Sequence, residues 1–362
     1  MRVLVVTAWF PSAASPGVGI FHLRDVELLA QDHDVTVLHL GSRSDTDETV
    51  QGVRVLHRRL PATSLSSYLR TPGLVRRLMR HHDLLHTMSF PTLLPLALLS
   101  IRKPWVHTEH WTGVVWPPAN RLARLGGTVT WKLLRRPDEV VAVGERLALA
   151  VERIRATPVS RIANFVRPAP VDRVPEPPDQ TGPLRLVGVS GLQGHKGVDL
   201  AIDAVAELCA RGVDAQLTWA GGGPALSALQ RRAETGGLAD RVHLVGQVRP
   251  EAVSELLTAS HVFLAPTEFE TFGVAIAEAL THGLPVVATG DGEHWSFLPP
   301  QASRHADRTG QGIAYAVLSL VADAERWSPV RIREYARSAF DPELRRAGYL
   351  EVYERALRPR RR

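Results

Sequence analysis

Residues 167–178 carry five prolines, and on either side of them short apolar runs alternate with amphipathic, helix-forming stretches. Proline fixes φ and lacks the N–H that ladders and helix interiors use, so this segment is expected to stay out of regular structure and to link two separate α/β series. Before it, strands are expected at 3–7, 35–40, 53–57, 84–87, 105–108 and 139–143, with helices at 19–30, 92–101 and 146–153. After it, strands are expected at 186–189, 215–220, 242–245, 262–265 and 286–288, with helices at 198–210, 224–235, 251–259 and 272–281. Alternation of this kind builds a parallel sheet covered by helices. The expected fold class is α/β, with two Rossmann-like doubly wound domains at 1–168 and 185–335 joined by a proline-rich linker at 169–184. Ligands of such a pair are expected in the cleft between them.

Composition excludes several classes. Apolar residues make up 44% and charged residues 22% of 362, ordinary for a globular chain. No apolar run approaches the roughly 20 residues that span a bilayer. The apolar start, residues 1–7, is too short and lacks a small-residue cleavage site, so it reads as a first strand and not as a signal peptide. The single cysteine, Cys209, rules out an intrachain disulfide, and a cytoplasmic location is expected. The net charge is +6, yet Lys103, Lys132 and Lys196 are the only lysines among 43 basic residues. That arginine skew fits a genome-wide codon bias better than selection for nucleic-acid binding, and no nucleic-acid partner is expected. Arg58, Arg59, Arg70, Arg76, Arg77, Arg80 and the stretch 121–136 nevertheless cluster in the first half, either as a solvated face or as a surface that meets anionic lipid or an acidic acceptor.

Chemistry concentrates in the second half. Glu270 and Glu278 stand eight residues apart around Phe272-Gly273, with Gly283-Leu284-Pro285 closing the helix. Glu270 falls in a strand-to-helix loop and Glu278 about two turns into the helix, so both carboxylates reach one side near free backbone N–H groups. Upstream, Gly191-Leu192-Gln193-Gly194-His195-Lys196-Gly197 joins a strand to a helix, a turn that offers N–H groups and one full positive charge to an anion. Ala220-Gly221-Gly222-Gly223-Pro224 is a further turn suited to close backbone approach.

Taken with Glu278-Ala279-Leu280 and the run 283–288, Gly-Leu-Pro-Val-Val-Ala, these residues resemble the signature of retaining glycosyltransferase family 4. The resemblance is strong over the second domain and covers the first in outline. It implies the two-domain GT-B fold, a nucleotide-diphosphate sugar donor carrying uridine or guanosine, a hydroxyl acceptor, no cofactor and no metal. It assigns the donor sugar to Glu270 and the nucleotide ribose to Glu278, with Phe272 and Gly273 beside them. It puts the diphosphate on Lys196 and Gly197, and the nucleotide over Gly221 and Gly223. The base is read by the backbone near Val248. Gly191 stands where the family commonly has a phosphate-binding arginine, which leaves that role to Lys196 and the backbone, to Arg249 or to an arginine of the first domain. In the first domain, Gly17 and Gly19 form a strand–helix turn that either is structural or approaches the leaving phosphate. His110 matches a histidine near donor sugar and acceptor, while alternation buries His107, and Glu109 has no assigned role. Asn164 matches a hinge asparagine, and the segment 336–362, with its helix at 342–357, is implied to pack back on the first domain.

Two alternatives share these features: a nucleotide-sugar epimerase, and a nucleotide-sugar-binding protein without transferase activity. The acceptor is not legible. The segment 111–136, with Trp111, Trp116 and Trp131 among arginines, either lies on an anionic membrane, giving a peripheral location at its inner face, or is an ordinary helix. Asp45-Thr46-Asp47 reads as a solvated loop, and His81-His82-Asp83 lacks zinc-ligand spacing.

Overall fold

The computed structural model describes residues 1–12, 18–61, 64–115, 129–164, 166–169, 174–176 and 182–358. The chain divides into two compact units, Met1–Phe165 with Pro342–Arg362, and Val166–Asp341. The described part of the proline-rich segment carries neither helix nor strand. The return to the first unit begins at Pro342, not at 336, because the preceding helix Pro329–Ala339 belongs to the second unit. Its buried Ile332 and Ala336 and the following Phe340, which packs on Phe272 and Phe297, hold it there.

In the first unit the strands are β1 (Arg2–Thr7), β2 (Asp34–Leu40), β3 (Thr46–Val50), β4 (Val53–Arg58), β5 (Leu84–Met88), β6 (Trp105–Glu109), β7 (Glu139–Ala142) and β8 (Ser160–Arg161), in the sheet order β3-β4-β2-β1-β5-β6-β7-β8. Only β3 pairs antiparallel. Val3, Leu4, Val5 and Val6 of β1 are wholly buried, as a central strand covered on both faces requires. The helices are α1 (Ile20–Leu29), α2 (Leu65–Leu78) and α3 (Glu145–Arg155).

Three departures from the sequence expectation have physical causes. β3 turns the Asp45-Thr46-Asp47 segment from a loop into an edge strand, whose exposed Asp47 pairs with Arg58 at 2.7 Å and Arg54 at 3.6 Å. α2 was not expected because Pro72-Gly73 lies inside it; these residues cost about 3 and about 1 kcal/mol in a helix interior. Packing of the buried Thr71 and Val75, and a Ser64 cap on the Ser67 N–H, outweigh that cost. Conversely, the helix expected at 92–101 is a 3₁₀ segment, Phe90–Leu96, because Pro91 and Pro95 withhold the N–H groups an α-helix would use.

The terminal helix Pro342–Leu357 contributes Tyr349, Val352, Tyr353 and Ala356 to the first unit's core. It also carries a buried charge. Arg345 grips Asp25 of α1 through Nε at 2.5 Å and Nη2 at 2.7 Å, and donates to the carbonyls of Ile162 and Ala163. Tyr349 donates to the same Asp25 at 3.1 Å. Around this pair lie His22, wholly buried beside Thr7, Trp9 and Ser89, and His86, bonded to Tyr353 and Thr108.

In the second unit β9 (Leu184–Val189), β10 (Ala215–Ala220), β11 (Val242–Gly246), β12 (Val262–Ala265), β14 (Val286–Ala288) and β16 (Ser303–His305) form a parallel sheet in the order β11-β10-β9-β12-β14-β16. A separate two-residue ladder joins β13 (Phe269–Glu270) to β15 (Asp291–Gly292). The helices are α4 (Val198–Ala210), α5 (Leu226–Thr235), α6 (Pro250–Thr258), α7 (Val274–Thr281), α8 (Gly310–Ala322) and α9 (Pro329–Ala339). Ile202, Val205 and Leu208 of α4 and Ile313 and Val317 of α8 share one core with Leu186, Leu217 and Trp219 of the sheet. The strand order reverses direction at β9, with β10 and β11 on one side and β12, β14 and β16 on the other. Among the described residues no helix is long and apolar enough to cross a membrane.

Two predictions follow from the buried polar groups. Arg345→Ala strands the Asp25 carboxylate in the core and is expected to destabilise the first unit by about 3–5 kcal/mol, read by urea unfolding; a loss under 1 kcal/mol would contradict the pairing. Burial lowers the His22 pKa from 6.5 to about 4 and, with His57 beside it, that of His39 likewise to about 4. The stability that these neutral rings confer is therefore complete above pH 6.5 and lost as pH falls through about 4, roughly 3 kcal/mol for His22. Acid titration of the unfolding midpoint in His22→Gln should show a shallower decline than in the wild type.

Candidate active site

The strand-order reversal puts the loops that follow β9 and β12 side by side, the place where open α/β sheets bind ligands. The first of these loops leaves β9 at Ser190 and ends in a 3₁₀ turn, Gly194–Lys196, before Gly197 starts α4. Gly197 has φ +67°, and a Cβ there would lie 2.1 Å from the Pro266 carbonyl oxygen of the second loop. Only glycine allows the two loops this close. The Glu268 N–H then donates to the His195 carbonyl at 2.8 Å, tying the loops together.

This junction brings Lys196 and Glu270 into contact across 74 residues: Nζ donates to Oε1 at 2.6 Å. Both side chains stay about one-fifth exposed, at 21% and 18%, so the pair faces solvent at the rim. Beyond it Gly273 caps α7, and Glu278 lies half-buried in that helix's second turn. Lys196 and Glu270 are thus brought together by one pair of adjacent strands, and Glu278 follows eight residues after Glu270 on α7. Phe272 differs from the expectation of a donor contact: the residue is 3% exposed and its ring packs on Phe297 and Phe340.

The glycine turn after β10 supports the same loop from the other side. Ser190 N–H donates to the Ala220 carbonyl and Leu192 N–H to the Gly222 carbonyl, and a Cβ on Gly221 would meet the Ser190 carbonyl oxygen at 1.7 Å. Gly221 N–H reaches Gly246 at 2.8 Å, which sets Gly223 and the half-buried Val248 next to this turn. At Gly191 the Gln193 side-chain amide lies 2.7 Å from where a Cβ would stand, so a flexible glutamine covers the position at which the resembling family has arginine.

Two residues here were not singled out from the sequence. Arg308, in the loop after β16, donates to the carbonyls of Gly194 and His195 at 3.4 Å each, which places a guanidinium against the Lys196 turn. Arg249, one of the alternatives for the missing arginine, occupies the exposed N-cap position of α6. His294 is fully buried, its Cβ 3.3 Å from a Cβ built on Gly273; burial lowers its pKa to about 4 despite Glu270 and Asp291 nearby, so the ring is neutral. His195 is also held below the usual imidazole value, by burial and then by Lys196. Arg308 and His294 carry no local signature, and only the fold of the loops after β14 and β16 reveals them.

The first-unit candidates sit differently. Gly17 lies outside the described residues, as does the middle of the tryptophan-rich stretch, 116–128. Gly19 caps α1 against the Trp9 backbone. His110 is 7% exposed, 3.7 Å from Asp25 and packed on Phe21 and His22, with neither ring nitrogen hydrogen-bonded; burial pushes its pKa well down. His107 is wholly buried as alternation requires. Glu109 is a structural anchor and not a free base: its Oε1 accepts from the N–H groups of Phe90, His110 and Trp111 at 3.2, 2.9 and 2.8 Å. Asn164 is buried at the end of the first unit's main segment. Among the described residues no three His, Cys, Asp or Glu side chains are grouped to hold a metal.

Gly197→Ala is expected to destabilise the second unit by about 2 kcal/mol or more, from αL strain and the clash at Pro266. Gly194→Ala, whose Cβ meets nothing within 4 Å, should be near neutral in the same urea titration.

Comparison with known proteins identifies the family. The sequence model described as "Glycosyl transferases group 1" matches residues 183–323, and that described as "Glycosyltransferase Family 4" matches residues 26–169. The chain is 29% identical over 213 residues to the phosphatidylinositol N-acetylglucosaminyltransferase gpi3 subunit of Schizosaccharomyces pombe, covering 56% of this chain and 45% of that one. It is 37% identical over 149 residues to the GDP-mannose-dependent alpha-(1-6)-phosphatidylinositol dimannoside mannosyltransferase of Mycobacterium tuberculosis, covering 40% of this chain and 37% of that one. The matched chain thus spans less than half the length of these curated relatives. Among solved structures, Anabaena HepE in complex with UDP and glucose superposes with a TM-score of 0.79 at 18% identity, covering 98% of this chain and 99% of that one. With one family model on each α/β unit and GT-B neighbours over nearly its whole length, the chain belongs to the family 4 (group 1) glycosyltransferases of GT-B fold.

Proposed function

We propose that this protein is a retaining glycosyltransferase that moves a sugar from a uridine or guanosine diphosphate sugar to a hydroxyl acceptor in glycan, glycolipid or secondary-metabolite biosynthesis. The observation that carries the reading is the Lys196–Glu270 contact, with Glu278 on the next helix. An ammonium and a sugar-directed carboxylate meet beside a strand-order reversal, and the ribose-directed carboxylate follows on α7. The names of similar proteins support the donor class: one is GDP-mannose-dependent, and another is solved with UDP and glucose.

In this reading the donor diphosphate takes Lys196 and the N–H groups at the start of α4, whose dipole favours an anion. As the sugar C1–O bond breaks, negative charge builds on the diphosphate. Lys196 and these N–H groups stabilise it. The acceptor oxygen attacks C1 from the face the diphosphate leaves, and its proton passes to a leaving phosphate oxygen. Glu270 orients the sugar through its hydroxyls, and Glu278 accepts from the ribose hydroxyls. Arg308, whose guanidinium donates to the Gly194 and His195 carbonyls, takes the role of the missing arginine in this scheme. His110 keeps a positioning role near sugar and acceptor, as a neutral ring. No metal takes part in this scheme, and a contact with the inner membrane face is compatible with a lipid-linked acceptor.

Isothermal titration with UDP and GDP tests the site. One nucleotide should bind the wild type, and Glu278→Ala should weaken it by roughly tenfold or more, as loss of a charge-assisted hydrogen bond implies. Lys196→Ala is expected to cost about 3–4 kcal/mol in turnover, and Glu270→Ala to lower turnover with nucleotide affinity kept. Unchanged affinity and rate in all three variants would refute the assignment.

A further inference from the structure

The helix that carries Glu278 is joined to its neighbour by a histidine that the donor chemistry does not use. His282 caps the C-terminal end of α7 and is 5% exposed. Its Nδ1 lies 2.8 Å from the Glu278 carbonyl oxygen, and its Nε2 lies 2.7 Å from the hydroxyl of Ser254 on α6. A carbonyl only accepts, so Nδ1 carries the proton and Nε2 offers the lone pair to which the Ser254 hydroxyl donates. Burial lowers the His282 pKa, which keeps the ring in this neutral, bridging form. The Glu278 carbonyl also accepts from the Thr281 hydroxyl at 2.8 Å and from the His282 backbone N–H at 3.2 Å. Three donors on one carbonyl hold the turn of α7 that follows Glu278.

At its other end the bridge meets a lightly held helix. Of the nine residues of α6 only Ser254 and Leu257 are buried, so this hydrogen bond supplies one of its two anchors. α6 begins at Pro250, directly after Val248 and Arg249, the segment assigned to the base in the donor reading. Ser254 stands just over one turn into the helix. Buried partners that orient a group without touching the ligand set the precision of a binding site. We propose that His282 and Ser254 are positioning residues for nucleoside recognition: given the donor assignment above, their bond sets the spacing between the base-reading segment at the head of α6 and the ribose-reading Glu278 of α7. Loosening that spacing costs the better-fitting base more than the other, so it lowers preference as well as affinity.

The test uses the full chain. Wild type, Ser254→Ala, Ser254→Thr, His282→Asn and Glu278→Ala are titrated calorimetrically with UDP and with GDP, and urea unfolding of each shows that the second unit is folded. Ser254→Ala leaves Nε2 without a donor. His282→Asn keeps a donor where Nδ1 stands and gives up the reach to Ser254, whereas Ser254→Thr keeps the hydroxyl. The expected result is a loss of about tenfold in affinity for the preferred nucleotide in Ser254→Ala and His282→Asn, as one buried hydrogen bond implies, with the preference between nucleotides reduced. Ser254→Thr should bind like the wild type. A purely structural role would lower the unfolding midpoint and leave the folded protein's affinity and preference unchanged. That outcome, with Glu278→Ala still losing affinity, overturns the bridge and leaves the donor assignment standing. Equal losses in Ser254→Thr and Ser254→Ala, or a fall in affinity with unchanged preference, also overturn the bridge. No binding of either nucleotide by the wild type overturns both.

Discussion

The geometry of the second unit depends on the parallel pairing of β9 with β12. Parallel strands end on the same edge of the sheet, so every loop that follows a strand emerges there. Pairing of Val262 with Leu186 and Phe263 with Val187 fixes how far the two loops overlap. Gly197 then lets one loop touch the Pro266 carbonyl of the other. A register shift of two residues would move Lys196 by about 7 Å relative to Glu270 and break their contact. The Thr289 hydroxyl, which donates to the Thr267 carbonyl at 2.8 Å, and the β13–β15 ladder fasten the third loop to the second in the same way.

The first unit uses its polar residues differently. Asp25, Arg345, Tyr349, Thr108 and His86 form a connected buried network, and Glu109 binds three backbone N–H groups. Glu109 is wholly buried and its other oxygen faces His107 Nε2 at 3.3 Å, so the carboxylate is held as part of the core. Removing water from Asp25 and Arg345 costs several kcal/mol per ion, which their bidentate geometry and the added Tyr349 bond offset. What this network secures is a single docking position for the terminal helix. His110 borders it with both ring nitrogens unsatisfied, a buried cost that packing alone does not explain.

How much of this was legible in the chain follows from range. Alternation of apolar runs is local, and most strands appear within a residue or two of where the pattern puts them. Glu270, Glu278 and Lys196 were legible because a short motif surrounds each, and lysine is scarce here. α2 was hidden by Pro72-Gly73, since tertiary burial of Thr71 and Val75 overrides propensity. The segment 92–101 erred the other way, because apolar content concealed two prolines. Arg308 and His294 lie more than 90 residues from Lys196, in loops without a motif, and their placement is a property of the folded sheet. The Arg345–Asp25 pair spans 320 residues and leaves no trace in either local sequence.

The strength of the Lys196–Glu270 pair bears on the proposed chemistry. A pair with both partners about one-fifth exposed is partly screened, and its net worth is near the ~1 kcal/mol of surface pairs, well below that of a buried one. A diphosphate carries more negative charge than one carboxylate and accepts hydrogen bonds through several oxygens. In the proposed scheme a bound diphosphate would therefore displace Glu270 from Lys196 at small cost. Once displaced, Glu270 has both oxygens free for the hydroxyls of the sugar attached to that diphosphate. Lys196 and Glu270 shield each other's charge, and in the proposed scheme donor binding would engage both. A strongly buried pair at this position would resist the exchange, so the partial exposure at the rim is itself a requirement of the reading.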